Sequence, residues 1–279
     1  MTTPTTTTTT TRCTIVSAYY RFPSKHSSAE YDEWARRFLG SVETPMVLFC
    51  DDETEPILRE MRGVRPALFV LMPLAEAEMS KVADWDAEHA RDPEASIHTK
   101  SLYVMWNEKA AYVQRAMALN PYRSTAFAWC DIGCFRSDLN LARLRKWPEG
   151  PRLDGLDPER LTLLNIQPFE PGDEAIDPVT RLPPCFDMKL RVGGTIMIGH
   201  RRAWDRWIPL YYAVLQRYLN AKFFAGKDQN VMASLVMLRP DLVTLVAPSR
   251  APEHGDPWFY LQPYFSDVVP VVPVVAAAA

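Results

Sequence analysis

The stretch Ser124–Arg136 reads STAFAWCDIGCFR, and the predicted fold is built around it. Its apolar run, residues 126–130, ends on the acid Asp131. Read as a strand, the run places Phe127, Trp129 and Asp131 on one face of a sheet and small side chains on the other. Ligands in open α/β sheets collect beyond the carboxyl ends of strands, so Asp131 is a candidate contact for a metal or a phosphate-bearing substrate. The alternative is an aspartate that only caps the following turn.

The composition is that of an ordinary globular protein. Of the 279 residues, 47% are hydrophobic and 23% are charged, which provides for one large domain or two small ones. The net charge of −3 argues against a protein held on nucleic acid by phosphate neutralisation. We find no apolar stretch suited to a membrane span or a signal peptide, and the five cysteines resemble reduced, buried thiols. We therefore expect a cytoplasmic protein.

The two ends of the chain differ from its middle. Residues 1–12 are mostly threonine, and residues 266–279 are mostly valine, proline and alanine. Neither segment has the variety of apolar side chains that a core needs. We predict a disordered tail at 1–12, a single domain at 13–265 and a flexible tail at 266–279.

Strand-like and helix-like segments alternate along the middle of the chain. The predicted strands are 14–20, 46–50, 68–72, 126–130, 161–166, 189–198 and 242–246. The predicted helices are one starting at Ser27 or Ser28, then 74–90, 96–119, 202–224 and 231–238. The segment 138–187 is expected to be an excursion over the sheet. This alternation predicts an α/β fold with a mixed, mainly parallel sheet and helices on both faces.

Three places along this pattern suggest local chemistry. Lys109 lies at the rim of an apolar helix face, so it is either paired with a carboxylate or aimed at a ligand phosphate. The pair Gly193-Gly194 inside a strand indicates a bulge, a close backbone approach by a ligand such as a sugar, or simple packing. Asp228 precedes an apolar helix and is expected to be its N-cap.

Common cofactor motifs are absent from the sequence. It contains no G-x-G-x-x-G, no P-loop and no G-x-S-x-G nucleophile elbow. What remains are acids at strand ends, Asp51, Asp52 and Asp131, with a loop histidine, His254. Oxygen ligands with one imidazole suit Mn²⁺ or Mg²⁺ holding a diphosphate.

Several spaced motifs together resemble the HtrL/YibB-like proteins over most of residues 13–265. They are WNEK at 106–109, NPY at 120–122, FAWCDIGCFR at 127–136, GGTIMIG at 193–199 and DQN at 228–230. That family is similar to the GT-A glycosyltransferases. The resemblance implies a single Rossmann-like GT-A domain that transfers a sugar from a nucleotide diphosphate sugar.

The resemblance also implies roles for particular residues. GT-A enzymes bind a divalent metal through a D-x-D motif at a strand end, and the matching residues here are Asp131-Ile132-Gly133, which lack the second carboxylate. The missing ligand is then expected from His254 or Asp256. By the same resemblance the nucleotide-sugar lies near a set comprising Ser17, Tyr19, Arg21, Asp51, Lys100, Lys109, Gly193 and Gly194, in which Lys100 or Lys109 contacts the phosphates.

Asp228 and Gln229 match a pair that lies near the anomeric carbon in similar retaining enzymes. In an inverting enzyme Asp228 serves as the base, and in a retaining enzyme it orients Gln229 and the acceptor. The leading hypothesis is a hexosyl- or pentosyltransferase that uses a nucleotide-sugar, with UDP favoured, and a glycan hydroxyl acceptor. The alternatives are a non-catalytic protein that binds nucleotide-sugars or glycans, and a phosphohydrolase.

Overall fold

The apolar run 126–130 forms a fully buried strand in the middle of a seven-stranded sheet. The structure, a computed structural model, describes residues 12–266 of the chain. The strands are β1 (Cys13–Tyr19), β2 (Met46–Cys50), β3 (Ala67–Leu71), β4 (Ala126–Cys130), β5 (Leu161–Asn165), β6 (Val192–His200) and β7 (Val243–Val246). Their order across the sheet is β3-β2-β1-β4-β6-β5-β7.

Strand direction confirms the predicted mixed, mainly parallel sheet. All pairings are parallel except those of β6, which runs antiparallel to its neighbours β4 and β5. Val16 of β1 lies opposite Trp129 of β4, and Tyr19 of β1 lies opposite Cys50 of β2. The carboxyl ends of β1, β2 and β4 therefore meet at one edge of the sheet.

Helices cover both faces of this sheet, as predicted. They are α1 (Ser28–Ser41), α2 (Glu55–Arg62), α3 (Trp85–His89), α4 (Lys100–Leu119), α5 (Pro151–Asp154), α6 (Arg201–Ala221), α7 (Asp228–Leu238) and α8 (Leu261–Tyr264). Helices α4, α6 and α7 pack on the face that carries Phe127 and Trp129. Helices α1 and α2 pack on the opposite face, with Ala126 and Ala128. The alternation of side chains in β4 thus separates two cores.

The first helix follows its sequence signals closely. Ser27 is its N-cap and forms a capping box with Glu30, because each side chain accepts a hydrogen bond from the other residue's backbone N–H. The buried stripe of α1 includes Trp34, Phe38 and Leu39. The N-cap prediction for this helix is confirmed.

The prediction of one helix over 74–90 is wrong. The segment forms two 3-10 turns, Leu74–Glu76 and Glu78–Lys81, followed by α3. Tertiary hydrogen bonds take over the backbone groups that a continuous helix would use. The Met79 N–H donates to the buried carboxylate of Glu108 at 2.8 Å, and the Met79 carbonyl accepts from the Trp85 indole at 2.7 Å.

Other boundaries shift by a few residues, and one connection is placed differently. Helix α4 begins at Lys100 rather than at Ser96. The predicted excursion contains β5, which is not peripheral, because it lies inside the sheet between β6 and β7. Within residues 12–266 no helix is long and apolar enough to cross a membrane. The predicted tails, up to Thr11 and from Asp267 onward, lie outside the described residues.

Arg62 at the end of α2 joins two turns at the edge of the sheet. Its guanidinium donates to the carbonyl groups of Leu39, Val42, Thr44 and Pro66 at 2.5 to 3.2 Å, and the residue is fully buried. Burial lowers the pKa of Arg62 to about 10. Its role is therefore to satisfy buried backbone acceptors.

Replacing Arg62 with Met should lower the free energy of unfolding by about 2–4 kcal/mol, because four buried carbonyl groups lose their donor. Urea unfolding followed by circular dichroism measures this. Arg36→Met is the matched control, since Arg36 makes an exposed ion pair with Glu60, and it should cost less than about 1 kcal/mol. Equal stability of the two variants would contradict this role of Arg62.

Candidate active site at the carboxyl ends of two strands

A cleft opens at the carboxyl ends of β1 and β4, at the edge where the sequence predicts ligand binding. It holds about 740 Å³ of empty space, counting the part open to solvent, which is within the range of pockets for small organic ligands. Its aromatic lining includes Tyr20, Tyr31, Trp106 and Phe259, and its charged lining is Arg21, Asp131 and Arg136. The cleft therefore offers aromatic faces, two cations and one carboxylate.

Asp131 is the carboxylate that reaches this cleft. Its backbone N–H donates to the Thr195 carbonyl at 2.8 Å, which continues the pairing of β4 with β6 one residue beyond the strand. Its Oδ1 accepts from the Trp129 indole at 2.7 Å, and 26% of the side chain is exposed. Burial raises the pKa of Asp131, and the opposing effect of Lys109 does not cancel it. The strand end thus presents one fixed, partly desolvated acid.

Lys109 of α4 lies behind Asp131 and is almost fully buried. Its Nζ donates to the Gly194 carbonyl at 2.8 Å, and it lies 3.2 Å from Asp131 Oδ1 and 2.9 Å from Asp228 Oδ2. Burial opposes the ammonium, but the two carboxylates outweigh burial and raise the pKa of Lys109. The sequence left open whether Lys109 pairs with a carboxylate or contacts a ligand phosphate. In the structure it pairs with two carboxylates. We call Lys109, Asp131 and Asp228 the Lys109 cluster.

The cluster carries more negative than positive charge. One ammonium faces two carboxylates, so the cluster has a net charge of −1 when all three groups are ionised. Asp228 Oδ2 is buried and makes no hydrogen bond within the described residues, so the ammonium 2.9 Å away is its charge partner. The floor of the cleft is therefore negative.

Gly194 leaves room for this arrangement. A Cβ at this position would lie 2.6 Å from Asp228 Oδ2 and 2.9 Å from the Met232 side chain. The pairing of β5 with β6 is also irregular here, because Leu163 pairs with Met197 and the next residue, Leu164, pairs with Gly193. The glycine pair therefore lies at an irregularity in strand register. It also allows a close approach to the Gly194 backbone, which is made by the side chain of Asp228.

The start of α7 differs from the predicted cap. The N-cap is Lys227, and Asp228 is the first helical residue, with its Oδ1 accepting from the Gln229 N–H at 2.9 Å. The Gln229 side chain donates to the Val192 carbonyl at 2.7 Å. The prediction that Asp228 is the N-cap is wrong by one residue, because its carboxylate is turned toward Lys109.

Two of the predicted nucleotide contacts line the cleft. The Tyr19 hydroxyl donates to Asp32 at 2.7 Å, and Arg21 forms an ion pair with the other oxygen of Asp32. Arg21 also lies 3.9 Å from Glu53. The positive charge of Arg21 is therefore already balanced by neighbouring acids.

Other predicted contacts lie outside the cleft lining. Ser17 is fully buried, and its hydroxyl donates to the Cys130 carbonyl at 2.6 Å. Asp51 accepts from the backbone N–H and the hydroxyl of Thr54, and Lys100 makes an exposed ion pair with Asp86. A Cβ on Gly193 would meet the side chain of Leu164 at 3.3 Å. These residues therefore make hydrogen bonds, an ion pair or packing contacts with neighbouring residues and do not line the cleft.

The donor set around Asp131 does not fit a divalent metal. Both carboxylate oxygens of Asp131 lie within 3.4 Å of the Lys109 ammonium, so an added ion would meet a positive charge. The His254 ring bonds to the Ser249 hydroxyl and is not part of the cleft lining. Within residues 12–266 no group of three or more His, Cys, Asp or Glu side chains is placed to hold a metal. Metal binding by Asp131 and His254 therefore stays a prediction from the sequence that this arrangement of side chains does not support.

Arg136 is the main site residue that sequence reasoning missed. Its guanidinium lies 4.2 Å from the ring centre of Trp34 and 5.2 Å from that of Phe259. The only indication of Arg136 in the sequence is that a basic residue stands five positions after Asp131. Its aromatic partners come from positions 102 residues before and 123 residues after it, so no local pattern indicates them.

Comparisons with known proteins give no family for this chain. No protein-family model matches it, and no curated protein matches it. Mouse xyloside xylosyltransferase 1 is a similar solved structure, at 14% identity over 84% of this chain and 84% of that one, with a TM-score of 0.46. Another is 4-diphosphocytidyl-2C-methyl-D-erythritol synthase from Anaerococcus prevotii, at 13% identity over 86% and 88%, with a TM-score of 0.39. TM-scores below 0.5 carry no functional argument, and the HtrL/YibB-like resemblance stays a prediction.

Replacing Lys109 with Met should lower the free energy of unfolding by about 3–5 kcal/mol, because the buried Asp228 carboxylate and the partly buried Asp131 carboxylate then lack a cation. The pKa of Asp131, which burial already raises, should rise further when the cation is lost. The destabilisation should therefore be complete well above that pKa and shrink as the pH falls from about 8 to about 5. Urea unfolding at both pH values measures the effect.

The double variant Lys109→Met/Asp228→Asn should recover part of the lost stability, because it removes one of the two facing charges. Lys100→Met removes an exposed ion pair from the same helix and should cost less than about 1 kcal/mol. A Lys109→Met loss that does not change with pH would show that the ammonium does not balance these carboxylates.

Proposed function

We propose that the protein is a glycosyltransferase that moves a hexose or pentose from a nucleotide diphosphate sugar to a hydroxyl group of a glycan acceptor. The observation that carries the proposal is the position of Asp131, a partly exposed carboxylate at the floor of a cleft with aromatic and cationic walls. Such a cleft suits a ligand with an aromatic base, an anionic middle and a polar sugar end.

The aromatic lining supports binding of the base. Tyr31 and Trp106 come from two different helices, α1 and α4, and both face the cleft. Base stacking on aromatic side chains tolerates any base, since every base has a π-face. The choice of UDP as the favoured nucleotide rests on the resemblance seen in the sequence.

The negative floor supports transfer of a sugar. Glycosyl transfer develops positive charge at the anomeric carbon as the bond to the diphosphate weakens. A fixed carboxylate that belongs to a cluster of net charge −1 stabilises that charge more than the neutral ground state, which lowers the barrier. Asp131 is proposed to face the sugar, and Asp228 and Gln229 are proposed to position the strand end from behind.

The proposed reaction balances with the groups at hand. The acceptor oxygen bonds to the anomeric carbon, the bond from that carbon to the diphosphate oxygen breaks, and the nucleoside diphosphate leaves with the electron pair. The acceptor proton passes to a carboxylate at the floor of the cleft. Burial raises the pKa of Asp131, which favours proton acceptance there. Mn²⁺ or Mg²⁺ stays a prediction from the sequence, and no step here depends on it.

The test is turnover of a panel of UDP- and GDP-sugars, measured as release of the nucleoside diphosphate with and without simple sugar acceptors. Asp131→Asn should lower the rate by about 100-fold or more, because the amide stabilises positive charge poorly and accepts no proton. Asp138→Asn is the control, since Asp138 lies on the surface beside Arg37 with 79% of its side chain exposed.

Full turnover by Asp131→Asn would overturn the proposed role of this residue. Binding of a nucleotide-sugar without turnover by the wild-type protein would instead favour the non-catalytic alternative. Release of inorganic phosphate without an acceptor would favour a phosphohydrolase. Circular dichroism of each variant separates loss of activity from loss of fold.

A further inference from the structure

Arg136 is a cation held at the cleft without an acid to neutralise it. Its guanidinium is flanked by the rings of Trp34 and Phe259, and its Nε donates to the Gly133 carbonyl at 3.1 Å. Among residues 12–266 no carboxylate lies within 4 Å of it, and its two terminal amino groups make no hydrogen bond. The aromatic contacts fix the group while its hydrogen-bond donors stay open.

Lys25 supplies a second cation of the same kind. It lines a hollow that continues the cleft, because both share Arg21, Phe22, Ser24 and Ser28. In the described part of the chain no carboxylate lies within ion-pair distance of Lys25. Burial lowers the pKa of Lys25, whereas the carboxylate of Glu94, beyond ion-pair distance, raises it. The cleft and the hollow that continues it thus each contain a cation without an ion-pair partner among the described residues.

The other cations near the cleft are already neutralised. Arg21 pairs with Asp32, Lys227 pairs with Glu94, and Lys109 lies between its two aspartates. The positive charge that is free for a ligand is thus concentrated on Arg136 and Lys25. The Lys109 cluster and these two cations thus bring charges of both signs to the cleft and the hollow that continues it.

We propose that Arg136 and Lys25 bind the diphosphate of the donor directly, without a divalent ion between the protein and the phosphate oxygens. The identity of the ligand as a nucleoside diphosphate rests on the proposed function, whereas the anion site rests on the two open cations. A guanidinium offers paired N–H donors to phosphate oxygens, and an ammonium adds a mobile point charge. Asp131 already lies beside the Lys109 ammonium and is not available to recruit a metal ion. Arg136 and Lys25 supply the positive charge that such an ion would give to the diphosphate.

The experiment is titration calorimetry of the full chain with UDP, uridine and inorganic pyrophosphate in buffer containing EDTA, repeated for UDP with Mn²⁺. UDP and pyrophosphate should bind in EDTA, and Mn²⁺ should change the UDP affinity by less than about 3-fold. Arg136→Met should weaken both ligands by about 10-fold or more and leave uridine unchanged. Lys25→Met should weaken them in the same way.

Arg143→Met is the matched control, since Arg143 is exposed and outside the cleft, and it should alter the affinities by less than about 2-fold. Arg136→Lys keeps the charge but not the paired donors and should fall between wild type and Arg136→Met, which separates anion binding from any folding defect. UDP binding that requires Mn²⁺ would overturn the direct contact while leaving the proposed function intact. Absence of UDP and pyrophosphate binding would overturn the anion site. Turnover of a nucleotide-sugar by the wild-type protein would then still support the proposed function.

Discussion

The ammonium of Lys109 is the interaction on which the site depends. It joins α4, the end of β4, the start of α7 and the backbone of β6 through contacts of 2.8 to 3.2 Å. An isolated buried charge is costly, so the Lys109 ammonium needs carboxylates around it, and the buried Asp228 and the partly buried Asp131 need a cation in return. This mutual requirement fixes the orientation of Asp131 and turns Asp228 away from a capping role. It also leaves no room for a side chain at Gly194.

Charges of both signs around one cleft would sort the parts of the proposed donor. The Lys109 cluster has an excess carboxylate, and Arg136 and Lys25 have no ion-pair partner among the described residues, so an anionic group is favoured at these two cations and a developing positive charge at the cluster. Asp131 is held by the Trp129 indole and Arg136 by the Trp34 ring, so neither has to rearrange when charge develops. For the proposed nucleotide-sugar donor, the cleft would therefore provide an orientation as well as a volume.

The sequence predicts the sheet better than it predicts the site. Apolar runs such as 46–50 and 126–130 are short, continuous and bounded, and the structure gives both with the predicted ends. Asp131 was identifiable because it directly ends such a run. Its partners were not, since Asp228 lies 119 residues from Lys109 in the chain and the two meet only when α4 and α7 pack together. The segment 74–90 was predicted wrongly for the same reason, because Glu108 binds its backbone from a distant helix.

Arg136 and Arg21 both line the cleft, but they differ in the neighbours that hold their guanidinium groups. Arg21 forms ion pairs with Asp32 and Glu53, so its charge is neutralised by acids and helps to order the loop after β1. Arg136 is instead held by Trp34 and Phe259, and an aromatic ring attracts a guanidinium without cancelling its charge. A folded protein gains little from keeping two cations, Arg136 and Lys25, without ion-pair partners in one cleft and the hollow that continues it. An anion bound to both would make the arrangement favourable, which is the physical reason for the proposed diphosphate site.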